Sequence, residues 1–202
     1  MINEIVLATS NIHKVKEIKL ILNDLNVEIL PMTSFPSYPI TIEDGKTLEE
    51  NASKKAREGA SFFKKWTIAD DSGIEVDFLN GNPGVYSARY AGKKCSDYEN
   101  NKKLLKELKN VPQEKRTAKF KTVIAISNPN GKILLVAGEI FGIITNCVGV
   151  NGFGYDPVFY IPKYKKTLAE LSPRVKNSVS HRAKALEKAK KIIRKLLNSS
   201  GK

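Results

Sequence analysis

The sequence predicts a mixed α/β fold in a single domain that covers residues 1–202. Short apolar, β-branched runs alternate with segments of helical periodicity, beginning with a strand at residues 5–8 and the helix that follows it. Two further apolar runs, residues 120–127 and 132–144, flank the sequence Asn-Pro-Asn-Gly, which is typical of a hairpin. No internal repeat or low-complexity linker divides the chain. These observations together indicate one mixed α/β unit.

Composition supports a globular domain and excludes several other classes. The chain has 202 residues, 41% of them hydrophobic, which is enough for a sizeable core. No apolar run approaches the ~20 residues needed to cross a bilayer, and no basic region precedes the first apolar stretch. Cys95 and Cys147 have no CxxC spacing, so neither a disulfide framework nor a zinc site is indicated. We therefore expect a soluble, cytoplasmic protein with no membrane partner.

The first half of the chain alternates strand and helix. After the strand at residues 5–8 comes a helix with apolar residues at helical spacing, and residues 27–30 form a second strand. Thr47 and Glu50 have the spacing of a capping box, which predicts the start of a second long helix. Residues 67–69 then form a buried central strand that delivers an acidic pair.

The second half adds a helix, the hairpin and a basic terminal helix. Asp97 begins a helix, because leucines follow it at helical spacing. Ser180 is placed as the N-cap of the last helix. The apolar positions of that helix recur at helical spacing and are Leu186, Ala189, Ile193 and Leu197.

The acidic pair, Asp70 and Asp71, is the first candidate for chemistry. Two adjacent carboxylates after a buried strand repel each other unless a cation or a proton intervenes, which favours a divalent-metal site. Asp-Asp-Ser-Gly is also typical of an ordinary solvated turn, since Asp and Ser bind local backbone donors and Gly supplies an unusual dihedral angle. The pattern alone leaves both interpretations open.

A second polar cluster follows the first strand. Thr9, Ser10, Asn11 and Lys14 lie where that strand gives way to a helix. A helix N-terminus offers backbone N–H groups and the positive end of a dipole, which suits a phosphate, and Lys14 adds a full charge. The segment contains neither GxxxxGK[ST] nor GxGxxG, so the two common phosphate-loop signatures are excluded here.

A third cluster lies near the C-terminus. Gly152 and Gly154 bracket Phe153, and Tyr155 and Asp156 follow. An aromatic ring on a flexible backbone beside a carboxylate can stack on a flat base and bind its edge. The alternative is a glycine-rich hairpin whose aromatic residues belong to the core.

The net charge of +13 is concentrated at the end of the chain. Residues 163–202 contain thirteen lysines and arginines against two acids. Such an excess is the electrostatic footprint of nucleic-acid binding. The helical spacing of the apolar residues, however, places most of these charges on the solvated face of one packed helix. We expect that surface helix rather than a stable nucleic-acid partner, although its field would also favour a triphosphate ligand.

Six motifs occur in an order that resembles a known family. They are TSNxxKxxE (residues 9–17), LEENAxxKA (48–56), ADDSG (69–73), GVYSARYAG (84–92), FGYDPVF (153–159) and KNxxSHR (176–182). Together they resemble the inosine triphosphate pyrophosphatase family, whose members hydrolyse non-standard purine nucleoside triphosphates. The resemblance runs from residue 9 to about residue 189.

The resemblance implies a fold and a reaction. It implies an elongated central sheet that divides the domain into two lobes, with the substrate cleft between them, and a homodimer. The reaction is the Mg²⁺-dependent hydrolysis of ITP, dITP or XTP to the monophosphate and pyrophosphate. The 6-oxo group of hypoxanthine or xanthine would accept a hydrogen bond where adenine presents a donor, which would set the selectivity.

The resemblance also implies roles for individual residues. Asp71 matches the catalytic, metal-binding aspartate with Asp70 beside it, and Glu43 matches a second metal-binding carboxylate, for which Asp44 is the neighbouring alternative. The phosphate contacts are Thr9, Ser10, Asn11, Ile12, His13, Lys14, Lys55 and Ser72. The base contacts are Phe153, Gly154, Tyr155 and Asp156, followed by the closing contacts Lys176, His181 and Arg182.

Three positions depart from the family pattern. Ser10 stands where many relatives have Gly, Val175 where an acid is common, and Ala137 where many have Glu. His181 also has an alternative interpretation as a surface residue that caps the basic helix. Two other functions remain open: an enzyme that acts on other modified nucleotides, and a basic nucleic-acid-binding protein without catalysis.

Overall fold

The computed structural model describes residues 2–199 and has a mixed α/β architecture. The strands are β1 (Glu4–Leu7), β2 (Glu28–Pro31), β3 (Thr67–Val76), β4 (Thr117–Ser127), β5 (Ile133–Ile144), β6 (Phe159–Ile161) and β7 (Lys166–Thr167). The helices are α1 (Ile12–Ile21), α2 (Leu48–Phe63), α3 (Asp97–Glu107), α4 (Pro173–Val179) and α5 (His181–Ser199). No helix in this part of the chain is both long enough and apolar enough to span a membrane.

The strands form one seven-stranded sheet in the order β2-β1-β3-β4-β5-β6-β7. β1 pairs with β2 and β3 in parallel, whereas β6 pairs antiparallel with β5 and with β7. The mixed sheet confirms the predicted fold class. The predicted hairpin is also confirmed, because β4 and β5 are neighbours and the Gly131 N–H donates to the Asn128 carbonyl at 3.0 Å between them.

The chain divides into two compact units, each with its own core. Unit 1 comprises Met1–Asp71, Thr122–Gly138 and Arg182–Lys202, and unit 2 comprises Ser72–Lys121 and Glu139–His181. In unit 1, α1 and α5 pack their apolar faces on buried residues of β1, β3 and β4. In unit 2, residues of α3 and of strands β3 to β6 form a second apolar cluster.

The helix starts follow the predicted caps. Thr47 Oγ1 accepts the Glu50 N–H at 3.1 Å, so Thr47 is the N-cap of α2. The Glu50 carboxylate accepts from the Lys46 N–H at 2.6 Å, one residue earlier than the predicted capping box requires. Ser96 caps α3 in a complete capping box with Glu99. These contacts satisfy donors that a helix start otherwise leaves unpaired.

The largest correction concerns β3, which was predicted to end at residue 69. It continues to Val76, so Asp70 and Asp71 lie inside a buried strand and the interpretation as a solvated turn is wrong. Ile74 and Val76 are fully buried and keep the alternation of a strand. The backbone stays extended at Asp70 and Asp71 because cationic side chains from other elements compensate the charge of the two carboxylates, as described below.

The basic terminal helix has the predicted amphipathic arrangement. Leu186, Ala189 and Ile193 are buried in α5. The exposed basic residues of this helix are Lys184, Lys188, Lys191, Arg194 and Lys195. Five of the thirteen basic residues between positions 163 and 202 therefore lie on the solvated face of α5, which is fewer than the majority expected from the spacing of its apolar residues.

Candidate functional site

Unit 1 contains a cluster of charged side chains around the acidic pair, which we call the charged cluster. Its members are Lys14, Glu17, Glu43, Lys55, Asp70, Asp71 and Arg182. Five separate segments contribute: α1, the loop before α2, α2, β3 and α5. The residues are up to 168 positions apart in sequence and meet only in the folded unit.

Asp70 is the centre of this cluster and is fully buried. Its Oδ2 atom lies 3.0 Å from Lys14 Nζ and 3.2 Å from Arg182 Nε. Burial alone would raise the pKa of Asp70, but the charges of Lys14, Arg182 and Lys55 outweigh it and hold that pKa well below its ordinary value. Asp70 is therefore an anion at neutral pH that contacts two cations.

The cations on either side of Asp70 differ in their environment. Arg182 is almost completely buried, and its Nη1 atom also donates to Glu17 Oε2 at 2.6 Å. Burial opposes its charge, but Asp70 and Glu17 raise the pKa of Arg182 further. The pKa of Lys14 is instead lowered, mainly by burial, because Lys55 and Arg182 offset part of the attraction of Asp70.

Lys55 brings two carboxylates together. Its ammonium donates to Glu43 Oε1 at 2.6 Å, to the Asp70 carbonyl at 2.7 Å and to Asp71 Oδ1 at 3.2 Å. Burial lowers the pKa of Lys55, but the charges of Asp71, Asp70 and Glu43 outweigh it and leave the pKa raised. Glu43 and Asp71 thus converge on one positive group.

The same convergence can be tested against a divalent cation. Mg²⁺ in nucleotide enzymes is commonly held by one or two carboxylates, with water and substrate phosphates completing the octahedron. Glu43 and Asp71 supply two carboxylates around one point that a cationic group occupies, so this pair fits Mg²⁺. Among residues 2–199, no group of three or more His, Cys, Asp or Glu side chains is arranged to hold a metal ion.

Asp44, the alternative to Glu43, points to a different partner. Its Oδ1 atom lies 2.7 Å from Lys54 Nζ, and the Asp44 side chain is 66% exposed. Asn51 holds the loop beside it, because Asn51 Oδ1 accepts the Gly45 N–H at 2.8 Å. In this arrangement Glu43, and not Asp44, reaches the charged cluster.

Asp71 has the protonation behaviour expected of a functional carboxylate. Burial raises its pKa, and the charges of Lys55 and Lys14 oppose that shift. Asp71 and Asp70 are adjacent in sequence, yet their pKa values move in opposite directions. Two neighbouring carboxylates with separated pKa values are typical of a site in which one binds cations and the other exchanges protons.

The start of α1 brings only part of the predicted phosphate segment to the charged cluster. Thr9 is buried and Lys14 contacts Asp70, whereas the side chains from Ser10 to His13 are exposed. Asn11 is the N-cap, and its Oδ1 atom accepts the N–H groups of His13 and Lys14 at 3.0 and 3.2 Å. Two of the backbone donors expected to be available for phosphate are therefore already bonded.

Unit 2 contains the second candidate region, which we call the aromatic loop and define as residues 153–156. Asp156 Oδ2 accepts the Phe153 N–H at 2.8 Å and the Lys176 ammonium at 2.6 Å. The same ammonium lies 4.7 Å from the centroid of the Phe153 ring. A buried ion pair thus supports a half-buried aromatic ring.

Glycine is required before this loop. Gly152 has φ +85°, and a Cβ atom there would lie 2.1 Å from Asp156 Oδ2. A side chain at this position would therefore displace the carboxylate that binds Phe153 N–H and Lys176. Gly154 also has positive φ, +63°, but a Cβ atom there would meet nothing within 4 Å.

Tyr155 belongs to the core of unit 2 rather than to an accessible surface. Its side chain is buried, and its hydroxyl donates to the Ser87 carbonyl at 2.8 Å. Burial raises the pKa of Tyr155 well above its ordinary value, so the residue stays a neutral donor. The alternative in which the aromatic residues of the loop belong to the core is therefore correct for Tyr155. The half-buried Phe153 ring instead lies against the Lys176 ammonium.

His181 and Ser72 are the remaining predicted site residues. The His181 ring is buried and stacks on Phe120, with ring centroids 4.5 Å apart and an interplanar angle of 10°. The alternative of an exposed capping histidine is therefore wrong. Ser72 is half-buried and directly follows Asp71 in β3.

Several residues of the two regions were not identified from the sequence. Glu17 binds Arg182, and its place one turn after Lys14 on α1 could have indicated a shared helix face. In unit 2, Asp97 and Asn101 contact Gly154. The Ser87 carbonyl accepts a hydrogen bond from the Tyr155 hydroxyl. Asp97 carried only the signal of a helix start, and nothing in the local sequence linked it to a loop 57 residues away.

Comparisons with known proteins identify relatives over nearly the whole chain. The chain is 50% identical over 194 residues to a protein of Desulforamulus reducens named dITP/XTP pyrophosphatase, with 96% of each chain covered. It is 48% identical over 201 residues to a protein of the same name from Clostridium perfringens, which covers 95% of this chain and 98% of that protein.

Solved structures give the same result at the level of the fold. A Ham1 protein from Coxiella burnetii has a TM-score of 0.88 at 42% identity, with 96% of this chain and 100% of that chain covered. The Staphylococcus aureus Ham1 protein has a TM-score of 0.85 at 41% identity, with 95% and 98% covered. Residues 5–192 match the model of the Ham1 family, and the chain belongs to that family.

Proposed function

We propose that this protein is a nucleoside triphosphate pyrophosphatase that hydrolyses dITP, ITP and XTP to the monophosphate and pyrophosphate. The names of the relatives, which are 48–50% identical over nearly the whole chain, support this substrate class. The observation that carries the proposal is the convergence of Glu43 and Asp71 on the Lys55 ammonium, beside a buried Asp70 that holds two further cations.

The charged cluster is assigned to the triphosphate. Hydrolysis breaks the bond between the α-phosphorus and its bridging oxygen, and pyrophosphate leaves with the electron pair of that bond. Water supplies the new oxygen on the α-phosphorus. Lys14 and Lys55 offer ammonium groups to the negative phosphate oxygens, while Asp70 and Arg182 fix the geometry of those groups.

Asp71 is assigned to the attacking water. Its carboxylate is proposed to take the proton that water releases on attack. Glu43 and Asp71 would hold Mg²⁺, which when bound would neutralise charge on the phosphate oxygens. Lys55 connects both carboxylates and keeps them close together when no substrate is present.

The aromatic loop is assigned to the base. Phe153 offers a ring for stacking, and the Lys176 ammonium beside it is the donor proposed for the 6-oxo group of hypoxanthine or xanthine. Adenine carries an amino group at that position, which places a donor against a donor. Asp156 holds Lys176 in place, because the two form a buried ion pair at 2.6 Å.

We further propose that the enzyme acts in the cytoplasm, as the composition suggests, and that it is a homodimer, as the family resemblance implies. Light scattering coupled to size-exclusion chromatography tests the oligomeric state. A mass of twice the 22.5 kDa chain is the expected result. A single-chain mass at micromolar concentration would contradict the dimer without affecting the proposed chemistry.

Pyrophosphate release across a nucleotide panel tests the proposed activity. The panel contains ITP, dITP, XTP, GTP, ATP and modified pyrimidine triphosphates, each with and without Mg²⁺. We expect Mg²⁺-dependent release from the inosine and xanthosine nucleotides and much slower release from ATP. Preferential hydrolysis of modified pyrimidines would assign the protein to another class of nucleotide hydrolase. No release from any nucleotide, with salt-dependent retention of DNA or RNA, would replace the enzyme by a nucleic-acid-binding protein.

A further inference from the structure

Two residues of α3 hold both backbone polar groups of Gly154. The Gly154 N–H donates to Asp97 Oδ2 at 2.7 Å, and Asn101 Nδ2 donates to the Gly154 carbonyl at 2.9 Å. Asp97 and Asn101 are four positions apart, so they lie on the same face of the helix. All three residues belong to unit 2. The contact therefore links a regular helix to the centre of the aromatic loop.

The Asn101 side chain carries a buried oxygen atom that is unfavourable for stability. The residue is buried, and its Oδ1 atom has no hydrogen-bond partner in the described part of the chain. A buried acceptor without a partner destabilises the folded state, whereas leucine would remove that acceptor but leave the Gly154 carbonyl without its donor. The neighbouring Asn100 is different, because its Oδ1 accepts the Ala91 N–H and its Nδ2 donates to the Ala88 carbonyl.

A buried polar atom without a partner needs an explanation, and functional sites are where such conflicts are expected. For Asn101 the remaining contact is the bond from Nδ2 to Gly154. Gly154 has positive φ and lies between Phe153 and Tyr155. Glycine is the least restrained residue, so a change in its dihedral angles would rotate the Phe153 ring relative to Lys176. Two hydrogen bonds from a rigid helix remove that freedom.

We propose that Asp97 and Asn101 are positioning residues that hold the aromatic loop in its base-binding conformation before the substrate arrives. The assignment of a purine to this loop rests on the function proposed above. The two residues themselves need not touch the base. Without them, each binding event would have to order the loop, and that ordering cost would weaken recognition of the base. The phosphate chemistry of unit 1 would be unchanged.

The first test uses the ligand-free protein and needs no activity. Hydrogen–deuterium exchange is measured at the Gly154 amide in the unaltered protein, Asp97→Ala, Asp97→Asn and Lys106→Ala. Asp97→Ala should accelerate exchange about tenfold, the size of one lost hydrogen bond. Asp97→Asn keeps an acceptor oxygen and should restore slow exchange. Lys106 is an exposed residue of α3, so Lys106→Ala is the control and should behave as the unaltered protein. Equal exchange in all four proteins overturns the proposal.

The second test separates positioning from structural support. Asn101→Leu removes one unpaired acceptor but leaves the Gly154 carbonyl without its donor, so it should change the melting temperature little, and it should raise KM for ITP about tenfold with little change in kcat. Asn100→Leu should lower the melting temperature, since it leaves the Ala91 N–H and the Ala88 carbonyl without their partners. An Asn101→Leu protein with the KM of Lys106→Ala overturns the proposal.

Calorimetric titration distinguishes failure of this inference from failure of the proposed function. Asp97→Ala and Asn101→Leu should weaken IMP binding and leave inorganic pyrophosphate binding unchanged, because only IMP carries a base. Equal weakening of both ligands overturns the positioning role. If the unaltered protein binds no IMP and hydrolyses no triphosphate, the proposed function is wrong, while the exchange measurement still decides whether the helix holds the loop.

Discussion

The charged cluster and the aromatic loop are built by different physical means. Ion pairs between side chains from five segments hold the charged cluster, and its central carboxylate is fully buried. Hydrogen bonds to the backbone, two glycines and one ion pair hold the aromatic loop. A lost charge in the first region leaves other buried charges without compensation, which is costly. Outside the buried Asp156–Lys176 pair, a change in the second region mainly alters a conformation. The two regions should therefore respond differently to substitution.

The largest expected effect follows from removing the negative charge at the centre of the charged cluster. Asp70→Asn preserves shape but leaves Lys14 and Arg182 without their shared anion, which should lower the free energy of unfolding by about 3–5 kcal/mol. Urea unfolding at pH 7 measures the change. Asp24→Asn is the control, because the Asp24 carboxylate that pairs with Lys190 and Arg194 is 49% exposed and its loss should matter much less. Equal losses in the two variants would contradict the comparison.

The next effect concerns catalysis without loss of the fold. Asp71→Asn removes the proton acceptor and should lower kcat for ITP by at least ~10²-fold, the lower end for loss of a general base. Steady-state pyrophosphate release with saturating Mg²⁺ measures it. Asp44→Asn changes a nearby exposed acid that pairs with Lys54, and should retain the rate. A normal rate in Asp71→Asn would remove this residue from the mechanism.

A smaller effect is expected in the aromatic loop. Phe153→Ala removes the stacking ring, which is worth ~1–3 kcal/mol per base, and should lower kcat/KM for ITP and GTP by similar factors because stacking tolerates different bases. Phe141, a 68% exposed aromatic residue of β5, provides the control Phe141→Ala. A changed ITP-to-GTP ratio in Phe153→Ala would show that the ring also selects the base.

The smallest effect is a pH dependence of stability. The folded-state pKa of Asp70 lies below its ordinary value of 3.8, so its stabilising contribution is complete above that pH and is lost as the pH falls towards the folded-state value. The stability difference between the unaltered protein and Asp70→Asn should therefore shrink below pH 3.8, by at most about 1.4 kcal/mol per pH unit. Urea unfolding at pH 7, 5, 4 and 3 tests this. A difference that stays constant down to pH 3 would mean that Asp70 does not ionise as described.

Local sequence patterns predicted the presence of helices and strands better than they predicted where these elements end and which side chains contact them. Thr47, Asp97 and the hairpin at residues 128–131 were identified because caps and turns are local signals. The continuation of β3 through Asp71 was not, since the Lys55 and Arg182 that compensate its acids lie far away in sequence. A pattern within ten consecutive residues gives no information about cations that are so distant in sequence.

Helix α4 was missed although its signal was present. Ser172 is its N-cap and Pro173 occupies the first turn, a combination typical of a helix start. The residues assigned to the site by family resemblance remain predictions about function. The structure adds a reason for their arrangement: Lys14, Lys55 and Arg182 contact the acidic pair, and Lys176 contacts Asp156 and lies against the Phe153 ring.

The two glycines beside Phe153 set different limits on engineering. The space at Gly152 is filled by the Asp156 carboxylate, so a library that varies this codon would return mostly inactive clones. At Gly154 a Cβ atom meets nothing within 4 Å, and asparagine tolerates a left-handed backbone better than most residues. Because Gly154 uses only backbone groups to bind α3, Asn at this position could add a side chain beside the ring without removing that attachment. A search for altered base preference should therefore keep residue 152 constant and diversify residue 154.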